Sequence, residues 1–245
     1  MEMEVIRFTL NQRIQHALLL LCVVILAVTG MELQFHYQSW AQALISLEGG
    51  FAARGKIHRS LAVVLMALSG WHFLWVLFTE RGHREFLNYL PHLQDFKDVW
   101  EVLRYYFGQK TEFPPHGRFT PVQKFQYVAV SGGILIMIAT GFLMWFETES
   151  MSVFPKWIID ACRMAHGWEA TFIFGVLLVW HIYHVHFTPG HFPMSWVWIN
   201  GRITISHLKE EHPLEYQQLL AEGKISPTET SPAAKLSSAG EGGKN

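Results

Sequence analysis

Four stretches of mainly apolar residues constrain this chain more than any other feature: IQHALLLLCVVILAVTGMELQF (14–35), IHRSLAVVLMALSGWHFLWVLF (57–78), QYVAVSGGILIMIATGFLMWF (126–146) and HGWEATFIFGVLLVWHIYHVHF (166–187). Each is about as long as a helix needs to be to cross the hydrocarbon core of a bilayer, roughly 20 residues. None alternates like a barrel strand and none contains proline, so in lipid their backbone groups can be satisfied only within helices. The expectation is an all-α membrane protein, a bundle of four transmembrane helices. Half of the residues are hydrophobic and only 16% are charged, which fits that class.

Charge sets the orientation and excludes one class of partner. With the N-terminus inside, Arg7, Arg13, seven basic residues between the second and third runs and five after the fourth are cytoplasmic, and only Arg54, Lys56, Arg59, Lys156 and Arg163 lie outside. Basic residues are retained on the cytoplasmic side, so both termini are expected in the cytoplasm of a multi-pass inner-membrane protein. A net charge of −1 gives no electrostatic support for nucleic acid. The start, MEMEVIRFTLNQR, has no signal-peptide pattern and is expected to remain in the mature protein. Residues 1–222 read as one four-helix membrane domain, and 223–245, rich in Ser, Pro and Gly, as a disordered tail. The segment EFLNYLPHLQDFKDVWEVLRYYFG in the large loop reads as an amphipathic helix at the interface. No internal repeat is evident.

Fourteen histidines are the anomaly. Ionisable groups inside a membrane are costly and face the bundle interior or a cofactor. His16 and His72 fall toward the cytoplasmic side, His58 and His166 at the outer side, and His181 and His184 toward the inner end of the fourth run. His58 and His72 are separated by nearly four turns, so they point the same way about 21 Å apart along the axis, a separation that suits two stacked cofactors. Two cysteines, Cys22 and Cys162, and no Cys-x-x-Cys-His motif leave no covalent haem site, but a b-type haem needs only axial imidazoles. Spacing assigns an outer haem to His58 and His166, and an inner one to His181 or His184 with His16 or His72. One extra residue, such as a π-bulge, is needed to bring His181 into line with His166. Gly30, Gly70, Gly132, Gly133, Gly141 and Gly175 are suited to lining such a bundle. Glu169 can hydrogen-bond a ligand imidazole or sit at the interface. His186 is expected to snorkel, and His191, His207 and His212 to be solvated.

The motifs RIQHALLLLCVVILAVTG, GKIHRSLAVVLM, ATGFLMWF, MAHGWEATFIFGVLLVWHIY and INGRITISHLKEEHPLEYQQL together resemble the di-haem b-type cytochrome subunits of respiratory formate dehydrogenases (the gamma subunit) and nickel-iron hydrogenases, over about residues 6–222. The resemblance implies His58 and His166 as axial ligands of the outer haem iron and His16 and His181 of the inner, with His72 and His184 as alternates for the inner haem or for quinone. It also implies a membrane-anchoring, electron-transfer subunit of a respiratory complex rather than a stand-alone enzyme. Electrons would pass between an extracytoplasmic redox partner, an iron-sulfur protein or a multihaem cytochrome c, and menaquinone or ubiquinone near the inner haem. Two departures stand out: the last helix places Trp180 where that family has its second histidine, fourteen residues after the first, and His72 has no counterpart in its better known members. The rival reading is a histidine-based metal or proton transporter without haem.

Overall fold

The computed structural model describes residues 3–112, 114–188 and 191–225. A short strand β1 (Glu4–Ile6) leads into α1 (Leu10–Gln34), followed by α2 (Ser39–Leu47), α3 (Phe51–Phe78), α4 (Glu80–Tyr89), α5 (Leu93–Tyr106), α6 (Pro121–Trp145), α7 (Glu147–Val153) and α8 (Lys156–Val176). The last of these continues as π-helical turns over Leu177–His181 and Tyr183–Phe187. After it come α9 (Val197–Asn200), β2 (Arg202–Thr204), α10 (Ile205–Glu211) and α11 (Pro213–Ala221). α1, α3, α6 and α8 with its extension are long and apolar enough to cross a membrane, as the four runs require.

All four helices begin before the apolar runs do, at residues 10, 51, 121 and 156 rather than 14, 57, 126 and 166. Polar capping turns account for the difference in α1 and α6. Thr9 accepts from the Gln12 N–H while the Gln12 side chain accepts from the Thr9 N–H, and Thr120 and Gln123 repeat this box with Pro121 in the first turn. Such caps satisfy backbone donors that the first turn leaves orphaned, each contributing about 1 kcal/mol. A hydropathy window passes over them because they are polar.

The large loop forms two helices, not one. Leu90 is extended ahead of Pro91, whose ring disfavours helix in the preceding residue, and His92 then opens α5, with the Asp95 carboxylate accepting from its N–H at 2.6 Å.

The end of the bundle where the described chain begins and ends, at residues 3 and 225, is built more elaborately than the apolar pattern suggests. β1 pairs antiparallel with β2, Val5 opposite Ile203, and Ile203, Ile205, Leu208, Tyr216 and Ile225 form a small core on this two-stranded sheet. Beside it a buried ionic hub joins four segments distant in sequence. Arg7 and Arg118 both donate to Glu215 at 2.5 Å, and Arg118 donates to both oxygens of Glu85 at 2.7 and 2.8 Å. His212, expected to be solvated, is buried here: its Nδ1 donates to the Gly117 carbonyl at 2.7 Å. Burial, followed by the nearby Arg7 guanidinium, pushes its pKa down to about 4. Burial alone would raise the Glu215 carboxyl, but Arg7 and Arg118 hold it below the usual carboxylate range. Residues 226–245, most of the expected disordered tail, lie outside the described residues.

Candidate functional site

Two histidine pairs face each other across the bundle at two levels. Far from the termini, His58 of α3 and His166 of α8 have ring centroids 6.4 Å apart. Nearer the termini, His16 of α1 and His181 at the end of the first π-helical turn lie 6.3 Å apart. An imidazole nitrogen binds a first-row transition metal at about 2.0–2.1 Å, with its ring centre about 1 Å behind. Two imidazoles on opposite sides of one iron therefore place their centroids about 6 Å apart, the spacing of both pairs.

Hydrogen bonds leave Nε2 available for such a role on His58 and His166. His58 Nδ1 lies 2.8 Å from Thr29 Oγ1 and His166 Nδ1 lies 2.9 Å from Thr140 Oγ1, while the Gln126 amide nitrogen donates to His181 Nδ1 at 2.6 Å. Both threonine hydroxyls donate to the carbonyl four residues earlier, Ile25 and Ile136, at 2.7 Å. Each hydroxyl proton is thus spent within its own helix, so the imidazole must be the donor at Nδ1 and Nε2 keeps its lone pair. Thr140, rather than Glu169, holds His166. Gly141 permits the close approach of His166, whose Cε1 an added Cβ would meet at 3.0 Å, whereas a Cβ on Gly30 would meet His58 Cε1 in ordinary contact at 3.7 Å. Gly70, Gly132 and Gly175 have nothing within 4 Å of an added Cβ and do not share this duty.

Orphaned donors also gather at the level nearer the termini. Trp198 Nε1, in α9 with its ring centroid 5.8 Å from that of His16, is buried without a partner, as are Gln15 Nε2 and Asn11 Nδ2 on α1. Buried donors without acceptors are costly. Haem carries anionic propionates that accept hydrogen bonds, so both the ring spacing and the unused donors fit that group.

His72 and His184 join neither pair. Gln15 Oε1 accepts from His72 Nδ1 at 2.8 Å, and His72 Nε2 meets the Tyr127 hydroxyl at 2.9 Å. Tyr127 in turn stacks on Tyr89, centroids 4.3 Å apart. His184 packs edge-on against Trp180, at 4.2 Å.

These contacts expose a repeat that inspection of the sequence misses. Thr9, Gln12, Gln15, Thr29 and Gly30 in and before α1 correspond to Thr120, Gln123, Gln126, Thr140 and Gly141 in and before α6, each offset by 111 residues. α3 and α8 correspond likewise, with His58 matching His166 and Trp71-His72 matching Trp180-His181. The spacing between the histidines is 14 in α3 and 15 in α8, and the extra residue falls in the π-helical turn Leu177–His181. A π turn widens the helix enough to hold one more residue without rotating the later turns off their face. At the position of His16 the second half carries Tyr127.

The profile of a family described as prokaryotic cytochrome b561 matches residues 7–190 of the chain. The cytochrome b556(fdo) subunit of formate dehydrogenase from Escherichia coli K12 is 22% identical over 223 residues, covering 88% of this chain and 93% of that protein. The formate dehydrogenase cytochrome b556 subunit of Haemophilus influenzae is 22% identical over 218 residues, covering 88% and 83%.

Proposed function

On the premise that the chain belongs to the prokaryotic cytochrome b561 family, we propose that it is the di-haem, quinone-reactive anchor of a larger redox complex. Membership makes it a multi-pass bacterial membrane cytochrome b that transfers electrons through b-type haem. The observation that carries the finer reading is the presence of two imidazole pairs, at 6.3 and 6.4 Å, at two depths of one bundle. In this reading His58 and His166 hold the outer haem, His16 and His181 the inner one, and residues 1–222 form the single membrane domain. When bound, haem supplies one-electron transfer at a potential set by its ligands and their hydrogen bonds. Thr29 and Thr140 fix the rings and tautomers of His58 and His166, and Gln126 holds the His181 ring.

Quinone exchanges protons as well as electrons. The Tyr127 hydroxyl and His72 imidazole, backed by Gln15, form a donor and acceptor pair at the same level as His16, suited to bonding a quinone carbonyl and passing its proton. The excess of basic residues at the end carrying β1 and α11 supports a cytoplasmic location for that end and an outer haem facing an extracytoplasmic partner. The named relatives are formate dehydrogenase subunits, so the partner class is a dehydrogenase-type redox subunit, an iron-sulfur protein or a multihaem cytochrome c. With quinone on the inner side and the partner outside, turnover is electrogenic; proteoliposomes that turn over without building a membrane potential would refute this step.

Pyridine haemochrome quantitation on the purified chain tests the main reading. Two b haems per chain are expected, and a colourless protein would hand the histidines to metal or proton transport.

A further inference from the structure

We propose a second, haem-independent metal site outside the bundle, in which His191, His207 and Glu211 bind one zinc ion or a similar divalent first-row ion. His191 lies in the turn beyond α8, while His207 and Glu211 stand four residues apart on one face of α10. His191 Nε2 and His207 Nε2 are 3.3 Å apart, and Glu211 Oε1 is 3.4 Å from the first and 3.3 Å from the second. The three donors thus form a nearly equilateral triangle. Ligands bound at about 2.0–2.1 Å around a tetrahedral ion lie about 3.3 Å from one another. An octahedral ion such as magnesium, at similar bond lengths, would draw neighbouring ligands to about 3.0 Å. A direct charge-assisted hydrogen bond between imidazolium and carboxylate would be shorter still, about 2.7–2.9 Å. The observed edges therefore match the face of a tetrahedron, and two imidazoles with one carboxylate suit zinc better than a hard cation.

A second observation concerns the tautomer. Thr188 Oγ1 donates to the His184 carbonyl at 3.2 Å and lies 3.1 Å from His191 Nδ1. With the hydroxyl proton already used, Nδ1–H must donate to Thr188, which leaves the Nε2 lone pair aimed at the other two ligands. This is the outer-shell arrangement that fixes metal-binding histidines. The three side chains are half-buried, at 18, 25 and 28% exposure, so the site is open enough to load and retains a fourth position for water. An ion here would tie α10, which packs into the terminal core, to the chain directly beyond the π-helical turns that carry His181.

The test uses the haem-loaded full chain, stripped with chelator, supplied with zinc and assayed by equilibrium dialysis and elemental analysis. One zinc per chain is expected at submicromolar free zinc. Affinity should fall at least 100-fold in His207→Ala and in the near-isosteric Glu211→Gln, with haem per chain unchanged in both. Zinc-edge X-ray absorption, which does not see the haem iron, should show two imidazole nitrogens at about 2.0 Å. Substoichiometric zinc in the wild type, or equal zinc in the wild type and in the His191→Ala/His207→Ala double variant, would overturn the assignment. Because haem content is read separately, either result is distinct from a failure of the haem reading.

Discussion

The half of the bundle built from α1 and α3 and the half built from α6 and α8 start from one plan and end with different chemistry. Both open on a Thr-x-x-Gln capping box, place a glutamine six residues after the cap, and close on a Thr-Gly pair that receives a histidine from the next membrane helix. At the level far from the termini the correspondence is complete, and each half contributes one imidazole to a shared pair. At the level near the termini it breaks. The first half offers His16 to His181, while the second offers Tyr127 to His72. A repeated scaffold can therefore keep one pair common to both halves while the residues at the other level diverge.

The largest expected effect is loss of the near pair. His16→Ala or His181→Ala should halve the haem per chain measured by pyridine haemochrome, whereas His72→Ala and Tyr127→Phe should leave it at two. Loss of haem on changing His72 would erase the distinction between the halves. Tyr127→Phe should instead slow quinol oxidation by about 10²-fold or more, the scale of a lost general acid. An unchanged rate would remove Tyr127 from proton transfer.

The π-helical turn offers a sharper cut. Deleting Val179, an outward-facing residue, returns the α8 histidines to the spacing found in α3, and the inner haem should survive. Inserting an alanine after Val179 should instead turn His181 off the face by about 100° and drop the count to one. Smaller again are the second-layer changes. Thr29→Val and Thr140→Val should weaken retention of the outer haem by similar factors, about 10–100-fold, because each removes one hydrogen bond to Nδ1. Gly141→Ala should be worse than Gly30→Ala, since its Cβ meets His166 at 3.0 Å and not 3.7 Å.

The smallest effect belongs to the hub outside the bundle. His212 is buried neutral with its pKa pushed down to about 4, so the unfolded chain takes up its proton first as pH falls below the ordinary histidine value of about 6.5. Its contribution is complete above that value and is lost as pH falls toward 4, about 3 kcal/mol in all. Glu215, also lowered, loses its own contribution below the ordinary carboxylate range. Both signs agree: amide protection factors in β1, β2 and α11, taken relative to the intrinsic exchange rate at each pH, should fall on acidification, and His212→Gln should flatten the upper part of that profile.

Much of this was legible in the sequence because it is local or periodic. Helix length against bilayer thickness determined the four spans, and the offset between His166 and His181 demanded one inserted residue. The repeat was harder to see because the residues that carry it, two capping boxes, two glutamines and two Thr-Gly pairs, are scattered among interchangeable apolar positions. Only when Gln15 is seen on His72 and Gln126 on His181 do they become equivalent. Tertiary structure alone decided two further matters: that Tyr127, at the repeat position of His16, meets His72, and that Arg7, Glu85, Arg118 and Glu215 share one buried hub. A side chain's partner 50 or 200 residues away leaves no trace in local pattern. Burial then selects among polar groups that look alike in sequence, because each must find a partner or lose its solvation without return.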